Sequence, residues 1–170
     1  DGPALRRWAG NVGTYVLAQK KVRQSRKTHG APMHLAIFYG FLSLFLATTL
    51  LAINSYSPIK FHQGNYYLAY ELTFDLLGLL FVIGVAWAIG RRVTIARAEE
   101  GRTWRQAVTH TAVDSWALVL LLALGLTGYL LEGARIAVDP KPWDNWSPVG
   151  KLASNLLPGL EPLGYKGIWW

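Results

Sequence analysis

The chain has 170 residues, of which 52% are hydrophobic, with eight Trp, eight Tyr, no Cys and a formal net charge of +7. That length suits one domain or one piece of one. The lack of cysteine excludes disulfides, thiolate chemistry and iron–sulfur ligation by this chain, and the basic residues flank apolar runs instead of forming one patch, which argues against a nucleic-acid partner.

Residues 1–32 form a basic segment with Arg6, Arg7, Lys20, Lys21, Arg23, Arg26 and Lys27. Among them Trp8, Val12, Tyr15, Val16 and Val22 recur near helical spacing. The pattern predicts an amphipathic helix lying on the membrane surface or against a partner. The plainer alternative is a solvated basic tail. Gly30-Ala31-Pro32 then predicts a break before the next element.

Three uncharged or nearly uncharged runs follow, at about 33–54, 65–90 and 111–133. At 1.5 Å rise per residue each is long enough to cross a hydrocarbon core of roughly 30 Å. In lipid the backbone must satisfy its own hydrogen bonds, so each run predicts a helix. The fold class is all-α and integral to a membrane, with a bundle over 33–133.

Lys and Arg set the orientation. Arg91, Arg92, Arg97, Arg102 and Arg105 separate the second and third runs, whereas Lys60 is the basic residue between the first and second. The positive-inside rule then makes the N-terminal segment and the 91–110 loop cytoplasmic. Tyr66, Tyr67, Trp143 and Trp146 suit an interfacial belt on the opposite side.

The remaining segment, 134–170, is rich in Pro, Gly and Trp and reads as an extracytoplasmic loop. Ser147 followed by Pro148 predicts a cap and first turn of a short helix to Leu157, stopped by Pro158-Gly159. Ile168-Trp169-Trp170 reads as the start of another apolar run, and the chain reads as a segment of a longer polypeptide.

Four histidines are present: His29, His34, His62 and His110. A b-type haem in an electron-transfer bundle takes two imidazoles from facing helices. His34 and His110 stand at cytoplasmic ends of predicted spans, and His62 lies on the other side. The ordinary reading of each is a hydrogen-bonded interfacial residue; the functional one is an axial ligand, with His34 ahead of His110 and His110 ahead of His62. No two histidines share the spacing of a zincin site.

Asp75 and Glu71 lie within the second span, one turn apart. A carboxylate there is costly and by default marks a proton route, a ligand contact or a buried partner. The structural alternative is a hydrogen bond from Thr127 or Ser43. Glu132 and Arg135 read as an i, i+3 pair, and Asp114 is placed to orient His110. Gly40, Gly78, Gly84, Gly125 and Gly128 permit close helix packing or leave room for a flat ring.

Several stretches, MHLAIFYGF, FHQGNYYLAYELTFDLLGLL, LTGYLLEGARIA and WSPVG, with the terminal WW, occur in an order that resembles one family. It is the membrane cytochrome b domain related to the respiratory nitrate reductase gamma subunit, in the version found with heterodisulfide-reductase-like iron–sulfur proteins. The resemblance covers roughly residues 5–170. It implies a four- or five-helix haem-binding bundle of which this chain holds the middle three helices. It implies His34 as ligand of the haem nearer the partner, and one haem b or two in the bundle. Leu44, Phe45 and Leu46 stand where the nitrate reductase version has its second ligand on this helix, which puts the outer haem in doubt unless His62 serves it.

The expected function is a b-type cytochrome subunit in a bacterial or archaeal cytoplasmic membrane. It would carry electrons between membrane quinone, menaquinone or ubiquinone, and a cytoplasmic iron–sulfur or flavin subunit. Glu71 and Asp75 are the candidates for quinone contact and proton exchange. The rival is a cofactor-free membrane anchor or assembly subunit of a respiratory or photosynthetic complex.

Overall fold

The computed structural model describes residues 2–24, 30–98 and 101–157. His29, the side chain of Asp114 and the Pro158-Gly159 and Ile168-Trp169-Trp170 segments lie outside the described residues. Every regular element among those described is helical.

The N-terminal segment is helix α1 (Gly2–Asn11), a π-helical stretch (Val12–Leu17) and the short α2 (Lys20–Arg23). It bears out the expected helical character. Gln19 turns the chain in left-handed conformation between the last two pieces, at φ 49°. The Tyr39 hydroxyl donates to the Leu17 carbonyl at 2.8 Å, so this segment is tied to the first long helix and is not a free tail.

Three helices are long and apolar enough to cross a membrane: α3 (Gly30–Tyr56), α4 (Gly64–Ala98) and α6 (Trp116–Val138). The first two extend at both ends beyond the expected 33–54 and 65–90, and the third, expected at 111–133, starts and stops later. Gly30-Ala31-Pro32 does not break the chain but opens α3, because a proline in the first turn lacks only an N–H that would have no partner there. Helix α4 runs beyond Ile89 to Ala98, continuing through Arg91 and Arg92.

The third expected span divides in two. Residues 111–114 belong to α5 (Trp104–Asp114), and α6 starts after a break at Ser115. At the break a polar contact comes from another helix: Arg92 donates to the Ser115 hydroxyl at 2.6 Å, and Ser115 is buried. Helix α5 begins with a reciprocal cap. Thr103 accepts the Gln106 N–H at 3.4 Å while the Gln106 side chain accepts the Thr103 N–H at 3.0 Å.

Helix α4 is the centre of the bundle. It packs along α3 on one side and α6 on the other, while α3 and α6 have no comparable contact with each other. Gly40 of α3 and Gly84 of α4 let the first pair approach closely. A Cβ on Gly84 would stand 3.0 Å from the Ala36 Cβ and the Ile37 nitrogen. Phe81 and Val85 are fully buried along this seam.

Beyond α6 a 3-10 turn (Pro142–Trp146) and helix α7 (Pro148–Ser154) fold back onto the bundle. Helix α7 ends three residues before the expected Leu157. It packs against α6 through small residues: a Cβ on Gly133 would stand 2.8 Å from the Ala153 Cβ. Arg135 holds the turn in place. Its guanidinium meets Glu132 at 2.6 Å, which is the expected i, i+3 pair, and also Asp144 at 3.1 Å.

Candidate functional site

Because α3 and α6 flank α4 without closing on each other, they leave a slot of about 490 Å³. That volume falls in the range of small-molecule sites. Its apolar walls are built by Phe41 and Phe45 of α3, Val82 of α4 and Leu124 of α6. One end is polar: Glu71, Asp75 and Glu132 line it with Tyr70, Tyr129 and Ser147. Between Asp75 and Arg91, residues 76–90 of α4 carry no charge. At 1.5 Å per residue that stretch is about 22 Å long. Asp75 therefore marks one end of this uncharged stretch, the His62 end, and the arginines mark the other.

The two sequence-predicted carboxylates are brought together but in different surroundings. Glu71 accepts a short hydrogen bond from the Tyr67 hydroxyl, one turn earlier on the same helix. Asp75 is 8% exposed. Its Oδ2 accepts the Val149 N–H at 2.8 Å and its Oδ1 the Gly150 N–H at 3.2 Å. Neither expected partner is used: Ser43 donates to the Gly40 carbonyl and Thr127 to carbonyls of its own helix, Ala123 and Leu124. Ser147 makes no side-chain cap on α7 either. Asp75, from another helix, supplies the acceptors that a local cap would have supplied.

Glu132 and Tyr129 complete the polar end, and sequence reasoning assigned neither to it. The Tyr129 hydroxyl donates to the main-chain carbonyl of Asp75 at 2.5 Å. Their signal was available: Tyr129, Glu132 and Ile136 recur at helical spacing at the end of α6. What the spacing lacked was the angle between α6 and α4.

The histidines are scattered. His62 lies outside the slot, in a cage of Phe61, Tyr66, Tyr67 and Tyr70, with ring centroids 4.8, 5.6, 6.1 and 4.5 Å from its own. Both ring nitrogens are enclosed without a hydrogen-bond partner. Burial pushes its pKa below the usual 6.5, since a charged imidazolium would lose its water there. Tyr70 links this cage to the slot, lining one and touching the other.

His34 is exposed, near the start of α3. Residues 34, 38, 41, 45 and 48 form one helical stripe, so His34 shares a face with Phe41, Phe45 and Thr48 of the slot wall. It stands seven residues from Phe41, about 10 Å along the axis, toward the Arg91 end. His110 is half-buried on α5, beside Arg102, Arg105 and Thr109 in a shallow depression apart from the slot. No cluster of three metal-ligating side chains occurs among the described residues.

Comparison with known proteins gives one informative likeness. The chain is 33% identical over 141 residues to a protein of Syntrophomonas wolfei subsp. wolfei named EtfAB:quinone oxidoreductase. The aligned part is 83% of this chain and 18% of that protein, so the chain spans less than a fifth of its relative's length. No family model matches. No solved structure matches.

Proposed function

We propose that this chain is the membrane part of a quinone-linked electron-transfer protein, with the slot between α3, α4 and α6 as its quinone site. The observation that carries the reading is the slot's polarity. Its walls are apolar, and one end is lined by the carboxyl groups of Glu71, Asp75 and Glu132. An isoprenoid quinone has the same division, a polar ring and a long apolar tail. The name of the relative supports the reading.

Reducing a quinone to a quinol consumes two electrons and two protons, and the reverse releases them. A titratable group within hydrogen-bond reach of the ring oxygen must give or take each proton. Glu71 suits that task. Its partner is the Tyr67 hydroxyl, whereas Arg135 bridges Glu132 and Asp144, and Asp75 is occupied by backbone N–H groups. The Tyr67 hydroxyl, bonded to Glu71, is the neighbour that exchanges this proton.

A haem b near the Arg91 end would be held by His34, with His110 as the other candidate on this chain, and would supply a one-electron relay. The basic N-terminal segment, fixed to α3 through Tyr39, docks an iron–sulfur or flavin partner on the cytoplasmic side.

The test is a dithionite-reduced minus air-oxidised spectrum of the purified membrane protein, with and without His34→Ala. A b-type signal that falls in the variant supports the assignment. Absence of any haem signal in the parent protein removes the haem from this reading and leaves the slot to be tested by quinone turnover.

A further inference from the structure

We propose that Asp75 is a positioning residue whose carboxylate fastens residues 142–154 across the His62 end of the slot, so that the slot opens sideways, between α3 and α6. The assignment of the slot's ligand as a quinone rests on the function proposed above; the fastening does not.

Helix α7 has seven residues, Pro148–Ser154. A helix that short does not persist on its own bonds, and its first N–H groups have no partners within it. Two of them, from Val149 and Gly150, end on the two oxygens of Asp75. The bonds join residues more than seventy apart in sequence. Asp75 is held in turn, since Tyr129 of α6 donates to its main-chain carbonyl.

The docked helix touches α6 through surfaces that admit no larger side chain. A Cβ on Gly150 would stand 2.7 Å from the Glu132 Cγ. Ser147, at the start of α7, lines the slot itself. The segment is therefore the slot's end wall, and Asp75 joins it to the central helix. The free sides are different. Phe41 is 55% exposed, Phe45 64% and Leu124 67%, and these three line the slot. They flank a gap between α3 and α6. A long-tailed ligand reaches the carboxyl end through this gap without leaving the bilayer, while a short-tailed, water-borne one meets the end wall.

The chain has no cysteine, so a single introduced thiol reports the wall's state. Ser147→Cys, an isosteric change at a position 3% exposed, is treated in membranes with an impermeant maleimide. Modification of the peptide carrying residue 147 is followed by mass spectrometry. With Asp75 intact, labelling is slow. In Asp75→Ala it rises about tenfold or more, because the buried N–H groups lose their acceptor. Asp75→Asn gives an intermediate rate, since its amide oxygen still accepts one N–H. Labelling at the parent rate in both variants overturns the proposal. Should Asp75→Ala fail to accumulate, Asp75→Asn decides alone, and the parent rate in that variant overturns it equally.

The second readout is kcat/KM for a short-tailed quinone relative to a long-tailed one. The ratio rises in Asp75→Asn if the wall directs access. Faster labelling with an unchanged ratio overturns the sideways route. A parent protein with no quinone turnover overturns the function proposed above, and labelling still decides the fastening.

Discussion

Gly40 of α3 lies directly against the backbone of Phe81 of α4. A Cβ on Gly40 would stand 2.6 Å from the Phe81 Cβ, 2.8 Å from its Cα and 2.9 Å from its nitrogen. The obstacle is main chain at the middle of the central helix, and it cannot rotate away. Gly40→Ala is expected to cost about 1–3 kcal/mol through overpacking, and Gly40→Leu to separate the helices. Thermal unfolding in detergent measures both. A Gly40→Leu protein as stable as the parent would show that this seam is not held as described.

Gly128 gives the opposite expectation. It also lines the slot, but a Cβ there meets nothing within 4 Å. Gly128→Ala should leave stability unchanged or raise it by up to about 1 kcal/mol from helix propensity. Gly128→Leu should fill the slot without touching the bundle. The expected result is normal accumulation and a KM for quinone raised by roughly tenfold, the effect of 1.4 kcal/mol. Unchanged quinone kinetics in Gly128→Leu would place the quinone elsewhere.

The His62 cage should be sensitive to acid. Burial holds the folded-state pKa below 6.5, so the unfolded or opened segment binds the proton first. The stabilisation from neutral His62 is fully present above pH 6.5 and is lost as pH falls through the folded-state value. Hydrogen exchange of residues 57–66, corrected for intrinsic rates, should accelerate between pH 7 and pH 5. His62→Phe should remove that acceleration. An exchange profile that is the same in both proteins would show that His62 does not gate the cage.

Arg135 bridges Glu132 and the 5% exposed Asp144. Removing the guanidinium in Arg135→Met leaves Asp144 enclosed without its cation. Breaking a fully buried pair costs 3–5 kcal/mol; the partial exposure of Arg135 and Glu132 brings the expectation to about 2–3 kcal/mol. Asp144→Asn in the same protein should recover part of the loss, and thermal unfolding reads both. Arg135→Lys should not substitute fully, because one ammonium cannot reproduce the forked contact.

The amino-acid sequence by itself determined the three long helices and the side of the bundle on which the arginines stand. Both follow from local rules: an uncharged run of sufficient length must be helical in lipid, and Lys and Arg gather at its ends. The Glu132–Arg135 pair was legible for the same reason, being one helical turn apart. The ends of the helices were less so. Pro32 reads as a break in the sequence although a first-turn proline continues a helix, and at the Ser115 break the side-chain contact comes from Arg92, twenty-three residues away.

Only the tertiary structure decided what the polar residues do. Asp75 and Glu71 look equivalent along the chain, one turn apart on one face. The fold gives one of them the N–H groups of Val149 and Gly150 and the other the hydroxyl of Tyr67. Glu132 and Tyr129 join the same end of the slot, and His62 is withdrawn behind Tyr70. The physical reason is that helical periodicity specifies which residues share a face, while the partner of that face is set by how helices cross and by where a distant loop returns. Asp75 meets α7 because the small residues Gly133, Gly150 and Ala153 let that helix lie close enough for its N–H groups to reach a carboxylate on α4.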